Sequence, residues 1–232
     1  MGRKIVTVGP AARRAIREIF SRLDYARLGP IYCDEGGDEF WAAKRGLCQR
    51  LGTKVATALK ARLKPGGISL YVGAGVAEIP PLVMEALELD RHVVACNLRR
   101  QEVLVLNRAC GEFPIRFQHL DAGLVKQRVD HLWLVSVLND PERFPELSVL
   151  SYGRANPVTF NANKFVTQQR TVARLVDRCL SRLTVPGLVT TTVEEAVWVA
   201  EWCHRRGIPY RLDERTYASP TVGDPICLIQ IG

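Results

Sequence analysis

Two glycines two positions apart, Gly73 and Gly75, follow the apolar run Leu70-Tyr71-Val72. Glycine allows a sharp backbone turn and lets a ligand approach the main chain closely. Three residues after Gly75 stands Glu78, where a dinucleotide-binding fingerprint carries a small residue. A carboxylate aimed at a pyrophosphate on a helix N-terminus would repel it, which disfavours a nicotinamide or flavin oxidoreductase. A second candidate group, Asn139 and Asp140, follows the apolar run that ends at Leu138. Asp140 can accept a proton or position an amine, whereas Asn139 cannot take a proton. An aspartate before Pro141 is equally a turn former. The histidines at 92, 119, 131 and 204 are not grouped with other ligands, and Cys203-His204 alone makes no site, so no metal is expected. The seven cysteines fall singly with no C-x-x-C spacing, which reads as reduced, buried thiols.

The elements that must position these residues follow from hydrophobic period. Ile16, Ile19, Phe20, Leu23 and Ala26 recur at helical spacing, so residues 11–27 read as an amphipathic helix with arginines on its outer face. Tyr25 to Gly37 holds Gly29-Pro30 and Gly36-Gly37 and reads as a loop, with Asp38 as N-cap of a long second helix stopped by Pro65-Gly66-Gly67. From Ile68 the pattern changes. Strands are expected at Ile68 to Val72, His92 to Cys96, Ile115 to Gln118, His131 to Val137, Leu188 to Thr192, Tyr210 to Tyr217 and Ile226 to Ile231. Helices are expected from Pro80 to about Leu89, Arg99 to Cys110, Lys164 to Leu183 and from a Thr192/Glu195 capping box to Gly207. Residues 139–162, rich in Pro, Asn, Ser and Gly, read as a long connection. The alternation predicts an α/β fold: a doubly wound, seven-stranded, mostly parallel sheet with a terminal antiparallel hairpin, preceded by N-terminal helices. Two parts are expected, a basic helical cover over 1–64 and a Rossmann-like domain over 65–232.

The chain has 232 residues, 47% hydrophobic and 24% charged, the profile of a globular protein with a sizeable core. It holds no apolar run long enough for a membrane helix, Met1 to Thr7 lacks the apolar stretch of a secretory signal, and the unpaired cysteines read as those of a cytoplasmic protein. The net charge of +8 is carried by residues 1–64, with 14 Lys/Arg against 6 Asp/Glu, while residues 65–232 hold 18 of each. A basic segment on a neutral body points to a polyanion such as RNA as a possible partner through residues 1–30.

Within residues 66–232 the chain resembles the class I S-adenosylmethionine-dependent methyltransferases. Leu70 to Glu78 is similar to the family's first motif, a strand running into a glycine-rich loop. Val93 to Leu98 resembles the second strand, whose end holds the ribose. Phe117 to Ala122 resembles the third-strand motif, whose Asp binds the adenine amino group, and Val129 to Asp140 the fourth strand and the loop beside the methyl group. The resemblance implies S-adenosylmethionine as cofactor, bound by Gly73, Ala74, Gly75, Asn97, Leu98, Asp121 and Ala122, with Asn139 and Asp140 at the reacting end and a small molecule as methyl acceptor. His119, beside the implied adenine site, is the one histidine to watch. Three positions depart from the family's pattern: Tyr71 and Asn97 stand where acidic residues are usual, and Ala77 replaces a third glycine. These departures, with the basic N-terminal segment, motivate the alternative of a non-catalytic nucleic-acid-binding or scaffold protein on the same fold.

Overall fold

The computed structural model describes residues 6–33, 35–151, 153, 156–219 and 223–232. Three helices open the chain: α1 (Pro10–Arg22), α2 (Tyr25–Tyr32) and α3 (Gly37–Lys60). They are followed by β1 (Ile68–Val72), α4 (Ile79–Glu88), β2 (His92–Asn97), α5 (Arg100–Cys110), β3 (Phe117–His119) and β4 (Val129–Leu134). After these come α6 (Pro145–Ser151), α7 (Ala162–Leu180), β5 (Leu183–Thr192), α8 (Ala196–Arg206), β6 (Tyr210–Leu212) and β7 (Ile226–Ile231). The described residues form a seven-stranded sheet in the order β3-β2-β1-β4-β5-β7-β6. β7 runs antiparallel to both of its neighbours, β5 and β6, and the other pairings are parallel. The doubly wound sheet and its closing hairpin are those expected from the sequence.

The order has a functional consequence. The chain winds outward from β1 through β2 to β3, then returns to the other side of β1 as β4. The crossovers leave β1 in opposite directions, so a crevice opens at the carboxyl ends of β1, β2 and β4. Both faces of the sheet are covered. On one face, buried residues of α1, α3, α4 and α5 form a cluster with Tyr71, Ala95 and Trp133. On the other, Val72, Cys96 and Leu134 pack with residues of α7 and α8. The central strands are accordingly apolar on both sides, as in Val93-Val94-Ala95-Cys96.

The N-terminal helices differ from expectation in instructive ways. α1 ends at Arg22, and a separate helix, α2, runs through Gly29 and Pro30, where a loop was expected. Gly29 serves close packing, not a turn. A Cβ on it would lie 2.9 Å from the Gly37 Cα, and one on Gly37 would lie 2.5 Å from the Gly29 Cα. The pair lets α2 cross the start of α3 backbone to backbone. α3 begins from Gly36 in the left-handed conformation, so Asp38 lies inside the first turn and is not the N-cap. There its charge, with that of Glu39, complements the helix dipole. Farther along α3, a Cβ on Gly52 would meet the Ala77 carbonyl oxygen at 2.5 Å. This glycine allows α3 to lie directly on the segment that follows Gly75.

Two further differences concern the second half. The connection between β4 and α7 contains the short helix α6. The expected capping box is half formed: Thr192 Oγ1 accepts the Glu195 N–H at 3.3 Å, but the Glu195 carboxylate turns elsewhere. Tyr71 also has a structural role. It is fully buried, stacks on Trp133 with centroids 5.1 Å apart, and donates its hydroxyl to Glu85 Oε1 at 2.6 Å. Glu85 also receives Ser69, Arg91 and His131. Burial alone would raise its pKa, but His131 and the hydroxyls of Ser69 and Tyr71 bring it below the usual value.

Candidate functional site

A cavity of about 520 Å³ lies at the carboxyl ends of β1, β2 and β4. The first wall is the turn after β1. Gly73 has φ +68°, a conformation that glycine adopts without strain, and a Cβ there would meet Val137 at 2.9 Å. Gly73 and Gly75 line the cavity. Ala74 is buried behind them, its N–H donated to the Cys96 carbonyl at 2.9 Å, which ties the turn to β2. Glu78 is also turned inward: its Oε2 accepts the Gly75 N–H at 2.8 Å. Burial pushes the Glu78 carboxyl up to about 7, against the pull of that hydrogen bond. Thus the carboxylate that argued against a pyrophosphate is spent on shaping the turn.

The second wall comes from β2 and β3. Asn97 and Leu98 end β2 and line the cavity, as do Asp121 and Ala122 after β3. Asn97 Nδ2 donates to the Ala74 carbonyl at 2.8 Å and to Glu102 Oε2 at 3.0 Å, and its Oδ1 accepts the Arg99 N–H at 2.7 Å. Asp121 Oδ1 accepts the Gly123 N–H at 2.9 Å and caps a short turn. His119 is exposed, lies within hydrogen-bond distance (3.0 Å) of the Leu98 carbonyl, and does not line the cavity.

The third wall is the segment after β4. Ser136 has φ +57°, and its buried hydroxyl has no partner among the described residues. Asp140 lines the cavity, and its Oδ1 accepts the Glu142 N–H at 3.0 Å in an Asx turn. Asn139 is buried behind the lining, and neither polar atom of its amide has a partner among the described residues. The cavity thus brings together Gly73, Gly75, Asn97, Leu98, Asp121, Ala122 and Asp140, with Ala74 and Asn139 directly behind.

Glu195 holds this third wall. Its Oε1 accepts the N–H groups of Leu138 at 2.6 Å and Asn139 at 3.2 Å, and its Oε2 that of Ser136 at 2.9 Å. Burial pushes its carboxyl up to about 7 in spite of these donors. Glu102, on the opposite side, is buried among Tyr32, Asn97 and the turn, and burial raises it too. Neither stands out in the sequence as a site residue. Glu102 looks like an ordinary acidic residue in a helix's first turn, and Glu195 like half of a cap.

The fourth wall belongs to the N-terminal helices. Tyr32, Phe40, Trp41, Cys48 and Leu51 line it. Tyr32 stacks on Phe40 at 6.0 Å and meets Trp41 edge-on at 5.0 Å. The Trp41 Nε1 is buried without a partner among the described residues. The thiols in the wall are inert, since burial pushes Cys48 up to about 12 and Cys96 to about 11. At the mouth, Arg99 pairs with Glu142 at 2.6 Å beside Arg143. No group of three or more His, Cys, Asp or Glu arranged to hold a metal occurs among the described residues.

A parallel sheet with this strand order, its antiparallel seventh strand and a glycine turn at the switch point define the class I methyltransferase fold. No protein-family model and no curated protein matches the chain in sequence. Among solved structures, the magnesium protoporphyrin IX methyltransferase of Synechocystis PCC 6803 with bound SAM is similar with a TM-score of 0.53 at 12% identity. That likeness covers 94% of this chain and 96% of that one. The TYW2 protein of P. horikoshii in complex with MeSAdo gives a TM-score of 0.50 at 11% identity, over 78% of this chain and 62% of that one. This chain therefore spans less than two thirds of the TYW2 structure. At these identities the likeness is one of fold.

Proposed function

We propose that this protein is an S-adenosylmethionine-dependent methyltransferase with a small-molecule acceptor. The observation that carries the reading is the cavity at the sheet's switch point, entered by the Gly73–Gly75 turn and closed by an aromatic wall. The two similar structures, one with bound SAM and one with MeSAdo, support the same ligand class at this fold. The residues fit such a group. Glycines leave the main chain approachable at Gly73 and Gly75, Asn97 and Leu98 border the sugar end, and Asp121 and Ala122 would hold the adenine. Glu78, turned back onto the Gly75 N–H, puts no phosphate-repelling requirement on a phosphate-free ligand.

When bound, S-adenosylmethionine supplies an activated methyl group, so the protein's part is mainly to position the acceptor and exclude water. Ser136, Val137 and Asp140 form the wall at the reacting end, fixed from behind by Glu195. Asp140 is the carboxylate placed to take a proton from an acceptor or to orient an amine. The apolar and aromatic wall from 32–51, with the unpartnered Trp41 N–H, suits a compact acceptor with an apolar body and one hydrogen-bond acceptor. The helices α2 and α3 thereby serve as a cover over the acceptor side. Calorimetry with S-adenosylhomocysteine tests the reading. Saturable heat at one site per chain is expected, and a folded sample giving no heat at high protein concentration overturns it.

A second contact is favoured by a separate feature. Arg17, Arg45 and Arg50 line a shallow groove between α1 and α3, together with Gln49 and Tyr25. With Arg13 and Arg14, these arginines have no carboxylate partner among the described residues. Such a face suits the phosphates of a polyanion such as RNA.

A further inference from the structure

The space in front of Gly75 is held by two side chains from distant parts of the chain. A Cβ on Gly75 would lie 2.8 Å from Glu102 Oε1 and 3.0 Å from the Tyr32 hydroxyl. Glu102 is 1% exposed yet lines the cavity. Its Oε2 accepts from Asn97, and its Oε1 accepts the Tyr32 hydroxyl. Asn97 spends both amide hydrogens, on Glu102 and on the Ala74 carbonyl, and so has no donor left for a ligand. It orients Glu102. A polar group that a ligand at the turn would meet is therefore a carboxylate from α5 with a phenol as its partner.

We propose that Glu102 is the acceptor for the vicinal ribose hydroxyls of the adenosyl ligand, and that the Tyr32 hydroxyl keeps this acceptor satisfied until the sugar replaces it. The proposal rests on the adenosyl-ligand reading above. A carboxylate offers two oxygens side by side, and a vicinal diol offers two donors at matching spacing. A buried carboxylate left without donors would be costly, which gives the phenol its place. Tyr32 is part of the aromatic wall with Phe40 and Trp41, and the Arg99 guanidinium lies 5.8 Å from its ring centroid. When the phenol leaves, α2 and the start of α3 must adjust with it. Seating the cofactor and resetting the acceptor wall thus become one event.

The test is calorimetry on the full chain with S-adenosylhomocysteine, and with 5′-methylthioadenosine and its 2′-deoxy analogue. The variants are Glu102→Gln and Tyr32→Phe. The intact protein is expected to bind the 2′-deoxy analogue about 10-fold more weakly than its parent, and Glu102→Gln to lose about 10-fold or more for S-adenosylhomocysteine and most of that discrimination. Tyr32→Phe removes the competing donor and is expected to bind S-adenosylhomocysteine a few-fold more tightly. Equal affinity in Glu102→Gln and the intact protein overturns the acceptor role, and weaker binding in Tyr32→Phe overturns the placeholder role. Should Glu102→Gln fail to fold, the analogue pair on the intact protein and Tyr32→Phe still decide: no discrimination of the 2′-hydroxyl refutes the proposal. If the intact protein binds none of the three ligands, the methyltransferase reading falls as well; if it binds and Glu102→Gln is indifferent, only the present proposal falls.

Discussion

Glu195 offers the sharpest quantitative test, because its partners can be counted atom by atom. Replacing it with alanine leaves the N–H groups of Ser136, Leu138 and Asn139 without their acceptor and removes the longer, 3.4 Å contact of the Thr191 hydroxyl. A buried donor left unpaired costs about 1–3 kcal/mol, so for three of them a loss of about 3–9 kcal/mol is expected for Glu195→Ala. Glutamine is milder. Its carbonyl can take the place of Oε1 and keep Leu138 and Asn139, but its NH₂ then faces the Ser136 N–H, at a cost of about 1–2 kcal/mol. Urea unfolding at pH 7.5 reads both values. The carboxyl also carries a pH signature. Its folded-state pKa, like that of Glu78, is raised by burial to about 7 from the ordinary carboxylate value of 4.5. The folded protein then binds more protons than the unfolded chain between those values, so stability falls as pH rises from about 4.5 to 7 and is flat above. Each group contributes up to about 3 kcal/mol to that fall, and Glu195→Gln removes the share belonging to Glu195. The lowered Glu85 acts in the opposite sense only below that window, where stability is lost as pH falls through its folded pKa. An alanine variant that loses less than about 1 kcal/mol, or an intact protein no more stable at pH 5.5 than at pH 8, refutes the account of this clamp.

Two further outcomes are expected. Gly52→Val places a branched side chain where even a Cβ meets the Ala77 carbonyl at 2.5 Å, so α3 must move off the turn. A loss of about 2–3 kcal/mol in thermal unfolding and a several-fold weaker response to S-adenosylhomocysteine should result, and a variant unchanged in both disconnects α3 from the turn. For the basic groove, Arg17→Glu with Arg50→Glu should abolish salt-dependent binding of a single-stranded RNA oligonucleotide while leaving S-adenosylhomocysteine affinity intact. A salt slope identical to that of the unmodified protein excludes the groove as the contact.

Much of the sheet was legible in the sequence, because strand and helix periods are local. Four of the seven strands and the Gly73–Gly75 turn fall within a few residues of expectation, while the fifth, Leu183–Thr192, begins five residues early, at the residue where the preceding helix was expected to end. The third strand is shorter than expected, and Tyr210–Leu212 stops well before Tyr217, which keeps only an isolated pairing with Ile226. Gly29 shows where local signals mislead: beside proline it reads as a turn, yet the structure uses it to bring two helix backbones together.

The composition of the cavity walls was decided elsewhere. Asn97 could be named from its position at the end of β2, but its amide is consumed by Ala74 and by Glu102. Nothing near Glu102 in sequence distinguishes it from a solvated helix carboxylate. Its burial depends on Tyr32, 70 positions away, and its access to the cavity on a glycine in another loop. Glu195 could be expected to cap its own helix, but its carboxylate closes a loop 56 to 59 positions earlier. The sequence by itself determined the order of strands and helices and the seat at the switch point, because backbone propensity and hydrophobic period act between neighbours. Only the tertiary structure decided which carboxylates face that seat, because desolvation and hydrogen bonding act between groups that packing brings together.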